Sequence, residues 1–211
     1  MIANMLEWCL EHLNYWTITL LMTIESSFIP FPSEVVIPPA AYHAAAGGDM
    51  TVLSIILCGT LGALLGASIN YFLALWVGKP IVYAFADSRL GHRLLLSGAK
   101  IAKAEQYFND HGAVSTFVGR LIPAIRQLIS IPAGLAKMPI LKFYAFTALG
   151  AGIWNTVLAL LGYFLHGAIP EDQLIDTVTK YSHEIGYSIL AVVVIVLAII
   201  IIKSLRRRKA A

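Results

Sequence analysis

The stretch GRLIPAIRQLISIPAG, residues 119–134, decides how this chain folds. It sets Arg120, Arg126, Pro123 and Pro132 among apolar residues, with no acidic residue in the run. A proline inside a helix removes a backbone donor and clashes with the preceding turn, so the stretch does not form one continuous helix. The composition says what surrounds it: 58% of the 211 residues are hydrophobic, 13% are charged and the mean hydropathy is +0.76. Such a chain suits a helical bundle immersed in lipid, so an all-α integral membrane protein is expected. Two guanidinium groups on a broken helix at membrane depth then need partners from elsewhere in the chain.

Outward from that stretch, residues 51–78 and 141–166 are apolar and long enough to cross about 30 Å of hydrocarbon, and a further span is expected at 185–202. Gly59, Gly62, Gly66 and Asn70 recur at helical spacing and give the first span a small-residue face for close packing. Before it, residues 13–24 read as the upper part of a helix that starts around residues 5–12. Residues 25–48 carry Pro30, Pro32, Pro38 and Pro39 and must bend. Residues 79–112 alternate charged and apolar groups and read as an amphipathic connection on the membrane surface.

Ten of the fifteen cations lie in two places: Lys79, Arg89, Arg93, Lys100 and Lys103 in that connection, and Lys203, Arg206, Arg207, Arg208 and Lys209 in the tail at 203–211. Basic clusters beside spans mark the cytoplasmic side, so the C-terminus is expected in the cytoplasm; nucleic acid is not an expected partner. The N-terminus has no basic residue ahead of its first apolar run, and no cleavable signal peptide is expected. Connection and tail share a side only if an even number of crossings separates them. The spans at 141–166 and 185–202 supply two, so 113–138 must enter and leave on one side as a re-entrant hairpin.

The same order of parts recurs. Repeat 1, about 13–78, has a re-entrant segment at 25–48 with Glu25 and Glu34, the turn PPAA at 38–41, and a span with Gly62, Gly66, Asn70 and Tyr71. Repeat 2, about 113–166, has Arg120 and Arg126, the turn PAG ending at Gly134, and a span with Gly150, Gly152, Asn155 and Tyr163. The two spans would run in opposite directions, which makes the halves inverted repeats with broken helices, a transporter design whose substrate site lies between the repeats. The first hairpin would enter from outside and the second from the cytoplasm, with their tips meeting.

Glu25, Glu34, Arg120 and Arg126 each cost roughly 2.5–3.5 kcal/mol at the bilayer centre on insertion scales, so the four are expected to face one another. A structural pair of salt bridges is one reading, although buried ion pairs gain little stability over apolar packing. The other is a site where Arg120 and Arg126 receive an anionic group and Glu25 or Glu34 takes a proton. Arginine suits phosphate because its planar fork donates paired hydrogen bonds. A carboxylate suits proton coupling because loss of its arginine partner favours the protonated form.

Other residues take blander readings. Asn70, Asn155 and His43 are candidates for polar support of the hairpins. Trp8, Trp16, Trp76 and Trp154 read as interface anchors or packing groups, and Cys9 and Cys58 as core thiols. The chain has no H-E-x-x-H, no G-x-S-x-G and no phosphate-binding P-loop motif, so neither an enzyme nor a cofactor or metal is expected.

The strings ESSFIPFPSE at 25–34, GALLGASINYFLALWVGK at 62–79 and FVGRLIPAIRQLISIPAGLAKM at 117–138 together resemble the DedA family of membrane proteins, also described as the SNARE-associated or VTT-domain group. The resemblance covers about residues 13–167. It implies two opposed re-entrant hairpins and a role in moving lipids. For bacterial members it implies return of undecaprenyl phosphate across the inner membrane with dependence on the proton-motive force. It assigns the family's acids to Glu25 and Glu34 and its arginines to Arg120 and Arg126. Ala67 and Ser68 depart from members that carry an acidic or amide residue after the glycine. The expectation is therefore a multi-pass protein of the bacterial inner membrane whose partners are a polyprenyl phosphate, protons and membrane lipids, with a homo-oligomer left open. A proton-coupled carrier of small cations or osmolytes, and a scaffold that moves nothing, remain as alternatives.

Overall fold

Asn14 fixes where the first helix begins. Its Oδ1 accepts the backbone N–H groups of Trp16 at 2.9 Å and Thr17 at 3.1 Å, while Thr17 Oγ1 accepts the N–H of Asn14 at 2.9 Å. This reciprocal cap satisfies donors that a helix start leaves open, so helix α1 spans Tyr15–Glu25 and does not start near residues 5–12. The computed structural model describes residues 12–27, 32–88, 98–122, 125–170, 173–182, 184, 185 and 188. Pro30, Pro123 and the tail at 203–211 lie outside these residues, as does nearly all of the span expected at 185–202.

After α1 come a single 3-10 turn, Ser33–Val35, and helix α2, Ile37–Ala45. Pro38 and Pro39 sit in the first turn of α2, where a missing N–H leaves no bond unmade. Helix α3, Val52–Ala86, leaves helical geometry at Gly78 (φ 71°, ψ 167°), the end expected for the first span. Helix α4, Gly98–Leu121, does the same at His111 (φ −130°, ψ 19°). The boundary drawn at 112 between connection and second hairpin thus falls inside α4, just past its kink. Helices α5, Ser130–Leu135, and α6, Ile140–Leu165, complete the second half. A further helix at 174–182 follows α6; its Leu174 and Val178 pack into the core. Among the described residues there is no strand.

Two segments are long and apolar enough to cross a membrane, Val52–Ile81 with 30 residues and Ile140–Leu165 with 26. Their outer faces decide the medium. On α3, Leu53, Leu57, Leu61, Leu65, Ile69, Leu73 and Trp76 are all exposed at helical spacing, Trp76 by 91%. A core helix of a water-soluble protein hides such a stripe, whereas lipid solvates it.

Asn155 Nδ2 lies 3.4 Å from Thr60 Oγ1, and Tyr144 Oη lies 3.1 Å from Ser68 Oγ, so α3 and α6 run antiparallel. Helix α1 lies alongside α3 in the same direction: Tyr15 Oη accepts the N–H of Thr51 at 3.1 Å, and a Cβ on Gly66 would overlap the Thr23 carbonyl and Ser26. Thus α1 starts beside the N-terminal end of α3 and stops near its middle, and α2 returns the chain to that same end. The later turns of α4 accompany α6 likewise, with Arg120 and the Phe117 carbonyl against Gly150. Near the start of α6, Thr116 Oγ1 lies 3.5 Å from Met138 Sδ, so that hairpin closes at the opposite end of the bundle. The return limbs exchange partners: α2 packs on α6 and α5 on α3, where Gly134 meets the Tyr71 carbonyl. One apolar cluster, including Ile18, Met22, Ile37, Ile55, Trp154 and Leu158, surrounds the first hairpin; a second, with Ala67, Tyr71, Phe108, Ala133, Met138 and Phe143, surrounds the other.

Candidate functional site

Where the hairpin tips approach each other, the apolar packing gives way to charge. Glu25 ends α1, Glu34 sits in the 3-10 turn, Arg120 lies in the last turn of α4 and Arg126 in the turns before α5. Their exposures are 2, 6, 2 and 8%, so all four are withdrawn from solvent. Removing an ion from water costs several kcal/mol, and only close partners offset it.

Arg126 has such partners. Its Nη2 lies 2.6 Å from Glu25 Oε1 and 3.7 Å from Glu34 Oε2, and donates to Ser33 Oγ at 2.7 Å. Its Cζ stands 5.3 Å from the ring centroid of Trp154, within cation–π range. Ser26 Oγ donates to Glu25 Oε2 at 2.9 Å, and Ser33 Oγ to Glu34 Oε2 at 3.4 Å. Arg120 is treated differently. Its Nη2 donates to Ser130 Oγ at 2.8 Å, and among the described residues no carboxylate lies within ion-pair distance, although Glu25 and Arg126 act on it electrostatically.

The contacts of both guanidiniums run through Nη2, and the Nε donor of each is buried without a hydrogen-bond partner. Glu25 Oε1 is also without an aligned donor, despite the short ion pair with Arg126: the charges are close, yet the N–H does not point along the line between them. The indole Nε1 of Trp154 is the remaining unpartnered nitrogen of this region.

The structure thus brings Glu25, Glu34, Arg120 and Arg126 into one centre. Asn70 serves it directly: Nδ2 donates to the carbonyls of Ser26 at 3.2 Å and Gln127 at 3.1 Å, which ties the tip of one hairpin to the tip of the other. Asn155 instead links the two spans through Thr60. His43 is half-buried in the last turn of α2, roughly 9 Å along that helix from Ile37, with its ring edge-on to Tyr42. Its place at the far end of α2 separates it from the four charges. Pro32 precedes the 3-10 turn, and Pro132 lies in the first turn of α5.

Ser33 and Ser130 belong to the centre and were not singled out from the sequence, and Trp154, read there as an anchor or packing group, belongs to it too. Trp154 is 2% exposed and so takes the packing half of its expected reading, whereas Trp16 is 84% exposed. One signal for Ser33 was present: aligning Pro39 with Pro132 in the repeat places Ser33 opposite Arg126, which it touches.

A separate open cavity of about 310 Å³ lies by the α4 kink, lined by Asp110, His111, Lys137 and Lys142 among others; neither buried arginine lines it. No group of His, Cys, Asp and Glu suited to a metal ion occurs among the described residues.

Comparison with known proteins gives a consistent context. A VTT domain model matches residues 31–164. An "alkaline phosphatase-like protein" of Lactococcus lactis is 37% identical over 153 residues, covering 72% of this chain and 71% of its own. Proteins named undecaprenyl phosphate transporter A are 32% identical over 203 residues in Bacillus subtilis (96% of this chain, 95% of the relative) and 28% identical over 200 in Staphylococcus aureus (95% and 96%). No solved structure matches.

Proposed function

The chain belongs to the VTT-domain family, which includes the DedA membrane proteins, and from that premise we propose that it carries a phosphate-bearing lipid across the bacterial inner membrane. The observation that carries this reading is the pair of buried arginines whose Nε–H groups have no acceptor. An unmet buried donor costs about 1–3 kcal/mol, and a protein gains nothing from two of them unless an acceptor arrives. A phosphate supplies several anionic oxygens and accepts the paired donors of a guanidinium fork. The lipid chain needs no polar path, because the outer faces of α3 and α6 are already apolar.

Limb lengths suit a re-entrant arrangement. The 11 residues of α1 and the 9 of α2 reach roughly 16 and 14 Å, half of a hydrocarbon core of about 30 Å. The two hairpins dip from opposite leaflets and present their tips to one another, and alternating exposure of the centre moves the headgroup. Non-helical backbone at that depth is satisfied by side chains such as Asn70. The basic connection and the C-terminus face the cytoplasm.

In the empty state Glu25 and Glu34 neutralise Arg126. A phosphate arriving there competes with them, and a proton taken up by a displaced carboxylate removes the repulsion between two anions. Transport therefore depends on the proton-motive force. Undecaprenyl phosphate is the substrate that best fits the arginines together with the names of the Bacillus and Staphylococcus relatives.

The test is movement of a fluorescent polyprenyl monophosphate across the bilayer of proteoliposomes with an imposed pH gradient. The reading expects flipping that the gradient accelerates and that Arg120→Lys slows severely. Equal rates with protein-free vesicles would refute it. The name of the Lactococcus relative supports a second reading, hydrolysis of the phosphate ester. Inorganic phosphate released in step with probe consumption would establish that reading instead.

A further inference from the structure

Trp154 is buried beyond what core filling requires. Its indole is 2% exposed, and its Nε1 donor has no partner, whereas buried tryptophan N–H groups ordinarily find one. A phenylalanine would occupy the same apolar cluster without leaving a donor unmet. The ring also touches the ionic centre, since Arg126 Cζ stands 5.3 Å from its centroid. One turn earlier on α6, Gly150 has no side chain and admits the Cβ and Cγ of Arg120. The same face of α6 therefore meets both arginines, and the three unpartnered nitrogens, Arg120 Nε, Arg126 Nε and Trp154 Nε1, belong to one region.

We propose that Trp154 is a substrate-contact residue whose indole N–H is the third donor for the headgroup, and that this donor set selects a phosphate monoester over a carboxylate. The inference rests on the reading that Arg120 and Arg126 bind the lipid's anion, and it adds specificity to that reading. A phosphate monoester spreads three terminal oxygens tetrahedrally, so donors from three separate side chains can each meet one, while the acceptor sites of a carboxylate lie in a single plane and reach donors on fewer sides. Leaving one donor unpaired is the usual way in which a polar site rejects an analogue that lacks a partner. The neutral indole adds a hydrogen bond without adding charge, and its face holds the Arg126 guanidinium in place when the carboxylates let go.

The test uses the full chain in detergent micelles, with farnesyl monophosphate and farnesoic acid as probes. Trp154→Phe keeps the ring face and removes the N–H. It is expected to weaken binding of the monophosphate about tenfold, as loss of one hydrogen bond to a charged group does, and to leave farnesoate within about twofold. Unchanged monophosphate binding by Trp154→Phe, in a preparation where Arg120→Lys and Arg126→Lys both lose it, would overturn the role of Trp154 and spare the arginine site. Unchanged binding by all three variants would overturn the arginine site itself. A second measurement needs no substitution in the centre. In 15N-tryptophan-labelled wild-type protein, one indole N–H resonance should shift downfield when farnesyl monophosphate is added; Trp8→Phe, Trp16→Phe and Trp76→Phe remove the signals of the other three indoles and assign it to Trp154. Absence of any shift at saturating probe would contradict the proposal.

Discussion

The Arg126 end and the Arg120 end of the buried centre use the same side chain in the same hairpin, and the protein treats them in opposite ways. Arg126 is held by two carboxylates, a hydroxyl and the face of Trp154. Arg120 has one hydroxyl, that of Ser130, and a glycine that makes room for its stem. The first charge is compensated by the protein, so removing it leaves two buried acids without their ion-pair partner. The second is uncompensated, so it is the one that an external anion satisfies best. Under the proposed function, the Arg126 charge thus has an architectural role in addition to binding the headgroup, while the Arg120 charge is left mainly for recognition.

The largest effect should come from the compensated end. Arg126→Ala is expected to cost about 3–5 kcal/mol, because it strands Glu25 and Glu34 out of water. Denaturant unfolding in micelles would measure the loss, and adding Glu25→Gln in the same chain should recover part of it. If Arg120→Ala destabilised the protein equally, the contrast would disappear. Next in size is Arg120→Lys, expected to slow lipid transport about a hundredfold while changing stability by less than about 1 kcal/mol, since lysine keeps the charge and loses the fork. Full activity of this variant would move recognition away from Arg120.

A smaller difference should separate the two acids. Glu25 stands closer to Arg126 than Glu34 does, 2.6 Å against 3.7 Å, so Glu25→Gln should flatten the dependence of transport on the pH gradient more than Glu34→Gln. Gradient dependence that survives in the double variant would remove both acids from the coupling. The smallest effect is expected for Asn70→Ala, about 1 kcal/mol in thermal unfolding and a several-fold loss of rate. It loosens Ser26 and Gln127, neighbours of Glu25 and Arg126, and leaves the Arg120–Ser130 contact in place.

Much of this plan was readable from residue order. Apolar length located both spans, proline spacing located both breaks, and the cost of burying charge predicted that Glu25, Glu34, Arg120 and Arg126 would share one centre. The asymmetry between the arginines was not readable, because periodicity gives the face a residue occupies and says nothing about which face lies opposite. Ser33 and Ser130 were silent for a related reason: a serine near a helix commonly bonds its own backbone, as Ser27 Oγ does to the Ile24 carbonyl. Trp154 read as an anchor or packing group because tryptophan favours interfaces, and only the packing around it shows a donor with nothing to bind. The start of α1 was misplaced because apolar character continues upstream, whereas the cap at Asn14, a local hydrogen-bond pattern, sets the boundary.

The most direct measurement is an experimental structure of the full chain in lipid nanodiscs with undecaprenyl monophosphate. The account predicts phosphate density within hydrogen-bond reach, roughly 3 Å, of Nε on both Arg120 and Arg126, with Glu25 drawn away from Arg126. Phosphate density confined to the open cavity beside Lys137 and Lys142, with the buried ion pairs unchanged, would contradict it.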